Sequence, residues 1–368
     1  MSDTLIPIVC ALVAAAAAIA LTPLAAHLAR SLGAVAQPAG RSIHSVPTPL
    51  LGGLAILAGF LIPVIYYMPL FTTAEKALVV GTILISLLGA VDDVVDLRPA
   101  AKLLGQAACA VIPVAAGLTI DHVTLPFLGA GDLGPAQYPL SVLWFVALAN
   151  MINFTDGMDG LAAGVSGIGL TTFAVIASSL DRAVPAILAA SMAGACLGFL
   201  AHNFHPARVF MGDAGSLPLG FLIAGVAIGG VLKSAATVAV VLPLIVLAIP
   251  ILDTSFVVLK RLKHGLPVYS GDRSHFHHRF LSIGWSQRRT VLAIYTWCAL
   301  MSAAAIVISF RSGGALGTAL AASVAFVASV YLVYLLEILK WRSTPVVELV
   351  RGRREAHARA REEATTRP

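Results

Sequence analysis

The stretch Asn150–Leu161, reading NMINFTDGMDGL, holds the most chemically loaded spacing in this chain. Asp156 and Asp159 stand three residues apart, each followed by a glycine, between the apolar runs Pro139–Ala149 and Leu161–Leu180. A charge beside a hydrocarbon span is expensive to desolvate, so carboxylates placed there point to function. The glycines let the backbone leave a helix or come close to a ligand without steric penalty. A loop that merely joins two helices would tolerate the same residues. Recurrence argues against it, because further polar islands of this kind punctuate the chain.

One island is Arg41–Gly53, RSIHSVPTPLLGG, where two prolines fix the entry to an apolar run, two glycines permit close approach, and His44 is a candidate ligand. Another is GAVDDVVDLRPAAKLLGQ. Asp92 and Asp96 are one helical turn apart, so they are expected on one face with Asp93 beside them. Carboxylates this close repel unless a cation or a proton intervenes. Hard oxygen donors suit Mg²⁺, shared between one or two carboxylates and substrate phosphates. Arg98 and Lys102 follow and suit an anionic lipid headgroup. A third island, Asn203–Ser216 (NFHPARVFMGDAGS), sets Asp213 between Gly212 and Gly215 at a helix start, where backbone amides make a phosphate seat. Arg208 is a further phosphate candidate there, and Phe210 has a face to stack on a base. The last lies in the loop Lys260–Arg289, where GDRSHFHHRF crowds His275, His277 and His278 with Arg273 and Arg279. Three histidines suit a transition metal or, with the arginines, a pyrophosphate. The carboxylate islands favour the second. Asp253 reads as a paired intramembrane charge.

The elements that must position these groups follow from composition. Hydrophobic residues form 58% of the 368 and charged residues 11%, with mean hydropathy +0.91. A soluble domain carries about 25% charged residues. This chain is therefore expected to be an all-α polytopic membrane protein, since only helices satisfy their own backbone in spans of this length. About eleven spans are expected: Leu5–Ala29, 50–68, 76–91, 102–118, 139–152, 161–180, 184–201, 215–232, 236–259, 289–310 and 315–339. The first lacks a signal peptide's basic start and cleavage site and reads as a retained helix. Cys10, Cys109, Cys196 and Cys298 all fall in apolar runs, which excludes a zinc or disulfide framework. Of the 24 Lys and Arg, only Lys76, Arg182, Lys233 and Arg311 fall in one set of alternate loops. Positive-inside bias puts the other set, and every polar island, in the cytoplasm, with the N-terminus outside and the C-terminus inside. The basic excess is thus topology and attraction to membrane lipids, not a nucleic-acid footprint. A short external β-hairpin is expected in Thr119–Ala136, where TIDHVTLP alternates before three glycines. Residues 1–340 read as the membrane domain and 341–368 as a basic cytoplasmic tail.

PTPLLGG, DDVVD, NFTDGMDGL, NFHPARVFMGDAGS and HFHH, in that order over about residues 40–280, resemble the polyprenyl-phosphate N-acetylhexosamine-1-phosphate transferases. The resemblance implies transfer of a sugar-1-phosphate from a UDP-N-acetylhexosamine to undecaprenyl, decaprenyl or a related polyprenyl phosphate. UMP leaves, and Mg²⁺ or Mn²⁺ is required. This would be the first membrane step of a cell-envelope polysaccharide, in a bacterial inner membrane, and a homodimer is compatible with it. By matched position Asp213 resembles the metal ligand, with Asp92 beside it. Asp92 and Asp93 resemble the pair at the attacking lipid phosphate, as base or nucleophile. Asn153, Asp156 and Asp159 match nucleotide and catalytic positions, and Asn203 and Phe210 match residues that hold uracil. His275, His277 and His278, with Arg273, match the histidine loop at diphosphate and sugar, where His277 is the catalytic member. Lys102 in KLLGQ matches a basic residue near the active site.

Two departures bear on the donor. The phospho-N-acetylmuramoyl-pentapeptide transferase branch usually has a basic residue where Asp96 stands and three adjacent histidines. DDVVD and the split HFHH point to the branch that uses UDP-GlcNAc or a close relative. The rival of another class is a secondary transporter, whose carboxylates lie near the bilayer midplane on repeated halves. Here they lie at span ends and no repeat is visible.

Overall fold

The computed structural model describes residues 5–37, 47–125, 129–232 and 284–310, with 251, 261 and 323 as isolated positions. The architecture is all-α. The helices are α1 (Leu5–Ser31), α2 (Gly52–Tyr67), α3 (Thr73–Val95), α4 (Pro99–Ala115), α5 (Gln137–Thr155), α6 (Leu161–Ser179), α7 (Ala183–Asn203), α8 (Asp213–Val226) and α9 (Gln287–Phe310). Eight described segments are long and apolar enough to cross a membrane, and α4 is a shorter apolar helix of 17 residues. The chain is a multi-pass membrane protein. Nine expected spans are thus helices. The other two, 236–259 and 315–339, lie outside the described residues except for 251 and 323, as does the tail 341–368.

Small residues bring the helices together. Cys10, Ala14, Ala18, Thr22 and Ala26 are buried at every fourth position of α1 and form one narrow face. It packs on α7, where a Cβ on Gly194 or Gly198 would stand 2.0 Å from the Ala11 carbonyl oxygen or 2.2 Å from that of Ala15. Within a bilayer, close packing of this kind replaces the hydrophobic drive that water would supply.

Among the helix boundaries that differ from the expected ones, those of α3 and α8 bear on the site. α3 runs through Asp92 and Asp93 to Val95, and α8 begins at Asp213 itself, giving way after Val226 to a π turn, Ala227–Leu232. Hydropathy ends a span at its first charges. These charges find partners across helices, so the backbone continues.

Cross-helix hydrogen bonds gather the ends of α3, α5 and α7 with the starts of α2, α4, α6, α8 and α9 at one end of the bundle. A two-residue pairing of β1 (Val35–Ala36) with β2 (Thr48–Pro49) lies at this end. The opposite end carries the expected hairpin, β3 (His122–Leu125) antiparallel to β4 (Gly129–Asp132), with His122 facing Asp132. Its base is tied to α5 by Ile120 N–H, which donates to Ser141 Oγ at 2.9 Å.

Candidate active site

The last turn of α3 grips the first turn of α8. Asp93 Oδ1 accepts from the Asp213 amide at 2.8 Å, and Oδ2 accepts from the Ala214 amide at 3.0 Å. One and two turns earlier on the same face, a Cβ on Gly89 would fall 2.2 Å from the Asp213 carbonyl oxygen. Ser86 Oγ donates to the Ala214 carbonyl at 2.6 Å. The phosphate seat expected at the α8 start is therefore already taken by a carboxylate of the chain, as the positive end of a helix favours.

Asp213 turns its side chain the other way. Lys102 from α4 donates to its Oδ2, and Asn153 Nδ2 from α5 donates to its Oδ1 at 2.7 Å. The same Asn153 nitrogen lies 2.9 Å from Ser216 Oγ. Lys102 Nζ also stands 2.9 Å from Asp92 Oδ2, so one ammonium joins two carboxylates from two helices. Asp92 Oδ1 accepts from the Leu97 amide at 2.8 Å. Asp96 does not share that face. It ends α3 at φ 55, in the left-handed region, and is exposed, because the chain must turn there to enter α4 at Pro99. One turn below Lys102, Gln106 is buried and pairs with Asn150, one turn below Asn153, whose Nδ2 donates to Gln106 Oε1 at 2.5 Å. That pair sets the register between α4 and α5, so that Lys102 and Asn153 reach the same carboxylate.

The DGMDG loop divides its two aspartates. Asp156 follows the last residue of α5 and is half-buried. Burial first, then the charges of Asp213, Asp93 and Asp159, push its carboxyl up to about 8. Asp159 is buried; its Oδ2 accepts from His205 Nδ1 at 2.7 Å and from the Ala207 amide at 3.0 Å. Gly160 is held on both sides of its backbone: its N–H donates to Asn203 Oδ1 at 3.0 Å, and its carbonyl accepts from Tyr295 of α9 at 2.5 Å. Asn203 Nδ2 donates in turn to the Val209 carbonyl at 2.9 Å. Beyond it, the Phe210 amide donates to the Pro49 carbonyl at 2.9 Å, and the Gly52 and Gly53 amides donate to the Phe210 and Met211 carbonyls at 2.9 Å each. A Cβ on Gly53 would lie 2.0 Å from the Gly215 nitrogen, so that glycine serves helix contact.

Four of the five motifs thus meet at one end of the bundle. Asp92, Asp93, Lys102, Asn153 and Asp213 form one bonded cluster, to which Asp156 is coupled by charge. Asp159 and Asn203 brace the loop behind it. Phe210 is half-buried, while Arg98 and Arg208 are exposed. His44, Asp253, Arg273, His275, His277, His278 and Arg279 lie outside the described residues. Sequence reasoning passed over Ser86, Gln106, His205, Ser216 and Tyr295. Gln106, His205 and Ser216 stand in motifs already singled out, whereas Tyr295 lies in an apolar span and gives no signal.

The donor chemistry at the cluster is hard oxygen. Asp92 and Asp213 converge on a single positive charge, which is what a divalent cation needs from them. Among the described residues, no three His, Cys, Asp or Glu side chains form a ready cage for a metal ion. Mg²⁺ is ordinarily taken by one or two carboxylates completed by waters and phosphates. The residues present fit it.

The chain is similar to known proteins over most of its length. A family model described as glycosyl transferase family 4 matches residues 76–231. A probable undecaprenyl-phosphate N-acetylglucosaminyl 1-phosphate transferase of Bacillus subtilis (strain 168) is 41% identical over 289 residues, covering 78% of this chain and 81% of the relative. A decaprenyl-phosphate N-acetylglucosaminephosphotransferase of Mycobacterium tuberculosis is 34% identical over 305 residues, covering 75% and 76%. A phospho-N-acetylmuramoyl-pentapeptide-transferase of Halalkalibacterium halodurans is 34% identical over 268 residues, covering 68% and 79%. At 41% and 34% identity over 78% and 75% of its length, the chain belongs to glycosyl transferase family 4, the polyprenyl-phosphate N-acetylhexosamine-1-phosphate transferases.

Proposed function

We propose that this enzyme transfers N-acetylglucosamine-1-phosphate from UDP-GlcNAc to a polyprenyl phosphate and releases UMP, at the cytoplasmic face of a bacterial inner membrane. The observation that carries this is the Asp92–Lys102–Asp213–Asn153 cluster at the ends of membrane-crossing helices. It is a place where a lipid phosphate and a soluble nucleotide diphosphate can meet. The relatives named for GlcNAc transfer, and Asp96 in DDVVD, support this donor over the muramoyl-pentapeptide.

Phosphoryl transfer asks mainly for positioning and charge stabilisation. An oxygen of the lipid phosphate attacks the sugar-proximal phosphorus, and the bond from that phosphorus to the UMP oxygen breaks. Asp213 and Asp92 would hold Mg²⁺ or Mn²⁺, which when bound neutralises the diphosphate and eases departure of UMP. Lys102 supplies a fixed positive charge to a phosphate oxygen in the same place. Asp156, whose carboxyl is raised to about 8 by burial and by Asp213, Asp93 and Asp159, stands to ionise when a cation is held among them. Phe210 offers a ring face to uracil, and the loop braced by Asp159, Asn203 and Tyr295 keeps Asp156 in place.

The test is a paired assay of UMP release with UDP-GlcNAc and UDP-MurNAc-pentapeptide at equal concentration, each with undecaprenyl phosphate. Turnover with the first donor alone is expected. Preference for the pentapeptide donor would overturn the donor assignment, and UMP release from neither would overturn the transferase reading.

A further inference from the structure

Resemblance leaves Asp92 and Asp93 as a pair with exchangeable roles, whereas the structure separates them. α8 has no cap of its own, because the residue before it is Gly212, which has no side chain to accept from the first amides. The first turn of any helix leaves donors without partners. Here Asp93 supplies the missing cap from another helix, with one oxygen on the Asp213 amide and the other on the Ala214 amide. The choice is reciprocal. Gly212 sits at φ +65, and a Cβ there would lie 2.3 Å from Asp93 Oδ2.

We propose that Asp93 is a positioning residue for the reaction, not its nucleophile or base: it holds the Asp213 backbone so that the Asp213 carboxylate stays presented to Lys102, Asn153 and substrate. This rests on the transferase reading above. Each Asp93 oxygen already accepts from an α8 amide, so attack on phosphorus or uptake of a proton by either would weaken the cap and loosen Asp213 at the moment that carboxylate is needed. Asp92 caps no helix start. One of its oxygens accepts from Leu97 while the other faces the Lys102 ammonium at the centre of the cluster.

The experiment compares Asp93→Asn and Asp93→Ala in the full chain. Thermal unfolding in detergent, Mn²⁺ affinity by paramagnetic resonance and UMP release from UDP-GlcNAc are read together. Asparagine keeps one oxygen to accept from one of the two amides, and alanine keeps none. The expected result is at least tenfold more turnover in the Asn variant than in the Ala variant, with a pH–rate profile of unchanged shape. The Ala variant should lose turnover and Mn²⁺ affinity together, severalfold or more, and unfold at lower temperature. Two equally inactive variants with the parent's Mn²⁺ affinity and unfolding temperature would mark a chemical role and overturn the proposal. If the Ala variant does not fold, Asp93→Asn is judged against Asp92→Asn. Greater turnover at position 93 supports the cap; equal loss with unchanged Mn²⁺ affinity and unfolding temperature sinks it. Absence of UMP release by the parent chain would count against the transferase reading alone, since unfolding temperature and Mn²⁺ affinity still report on the cap.

Discussion

Asn153 at the end of α5 and Asp213 at the start of α8 stand 60 residues apart in the chain, and a 2.7 Å hydrogen bond joins their side chains. Lys102 meets the other oxygen of the same carboxylate. Three helices therefore agree on the orientation of one side chain.

Removing the Asn153 amide should loosen Asp213 without removing its charge. A hydrogen bond to a charged group contributes about 1.5–3 kcal/mol, and about 1.4 kcal/mol is a tenfold change in rate. Asn153→Ala is therefore expected to lower UMP release roughly ten- to a hundredfold, and Asp213→Asn by more, with both proteins still folded in detergent. An Asp213→Asn variant with near-normal turnover at ordinary Mg²⁺ would refute the assignment of Asp213.

Asp156 makes the fold sensitive to pH. Its carboxyl in the folded chain is raised to about 8, against about 3.9 when unfolded. Between these values the folded state holds a proton that the unfolded state has lost, so stability falls as pH rises. It is fully present below about pH 4 and has declined to its floor above about pH 8, with a slope of at most about 1.4 kcal/mol per pH unit. Unfolding midpoints measured from pH 5 to 9 should decline less steeply in Asp156→Asn than in the parent. Identical slopes in the two proteins would show that Asp156 carries no such proton.

Orientation has a direct readout in two exposed aspartates at opposite ends of the bundle. Asp96 closes α3 at the site end, and Asp132 closes the hairpin strand β4. In intact cells of a Cys-free background, Asp132→Cys should react with an impermeant maleimide, and Asp96→Cys should react only after lysis. Labelling of position 96 in intact cells would invert the proposed topology and remove the nucleotide from reach.

The amino-acid order by itself determined the class, every described α-helix, the hairpin and the identity of the polar islands. Those are local properties: hydropathy over about 20 residues, strand alternation, and charges stranded beside apolar runs. Local reading also misplaced some features for a local reason. It ended α3 before Asp92, put Asp96 on the Asp92 face and left the α8 amides open to phosphate. Only the packed bundle decided the division of labour. Asp92 and Asp93 are neighbours in the chain, yet 100° of helical rotation per residue sends one to the Lys102 ammonium and the other to the backbone of α8. Asp156 and Asp159, three apart, part in the same way, one into the charged cluster and the other against His205. Tyr295 shows the limit most plainly. Nothing in an apolar span marks one hydroxyl as the partner of Gly160, because that pairing depends on how α9 packs against α6.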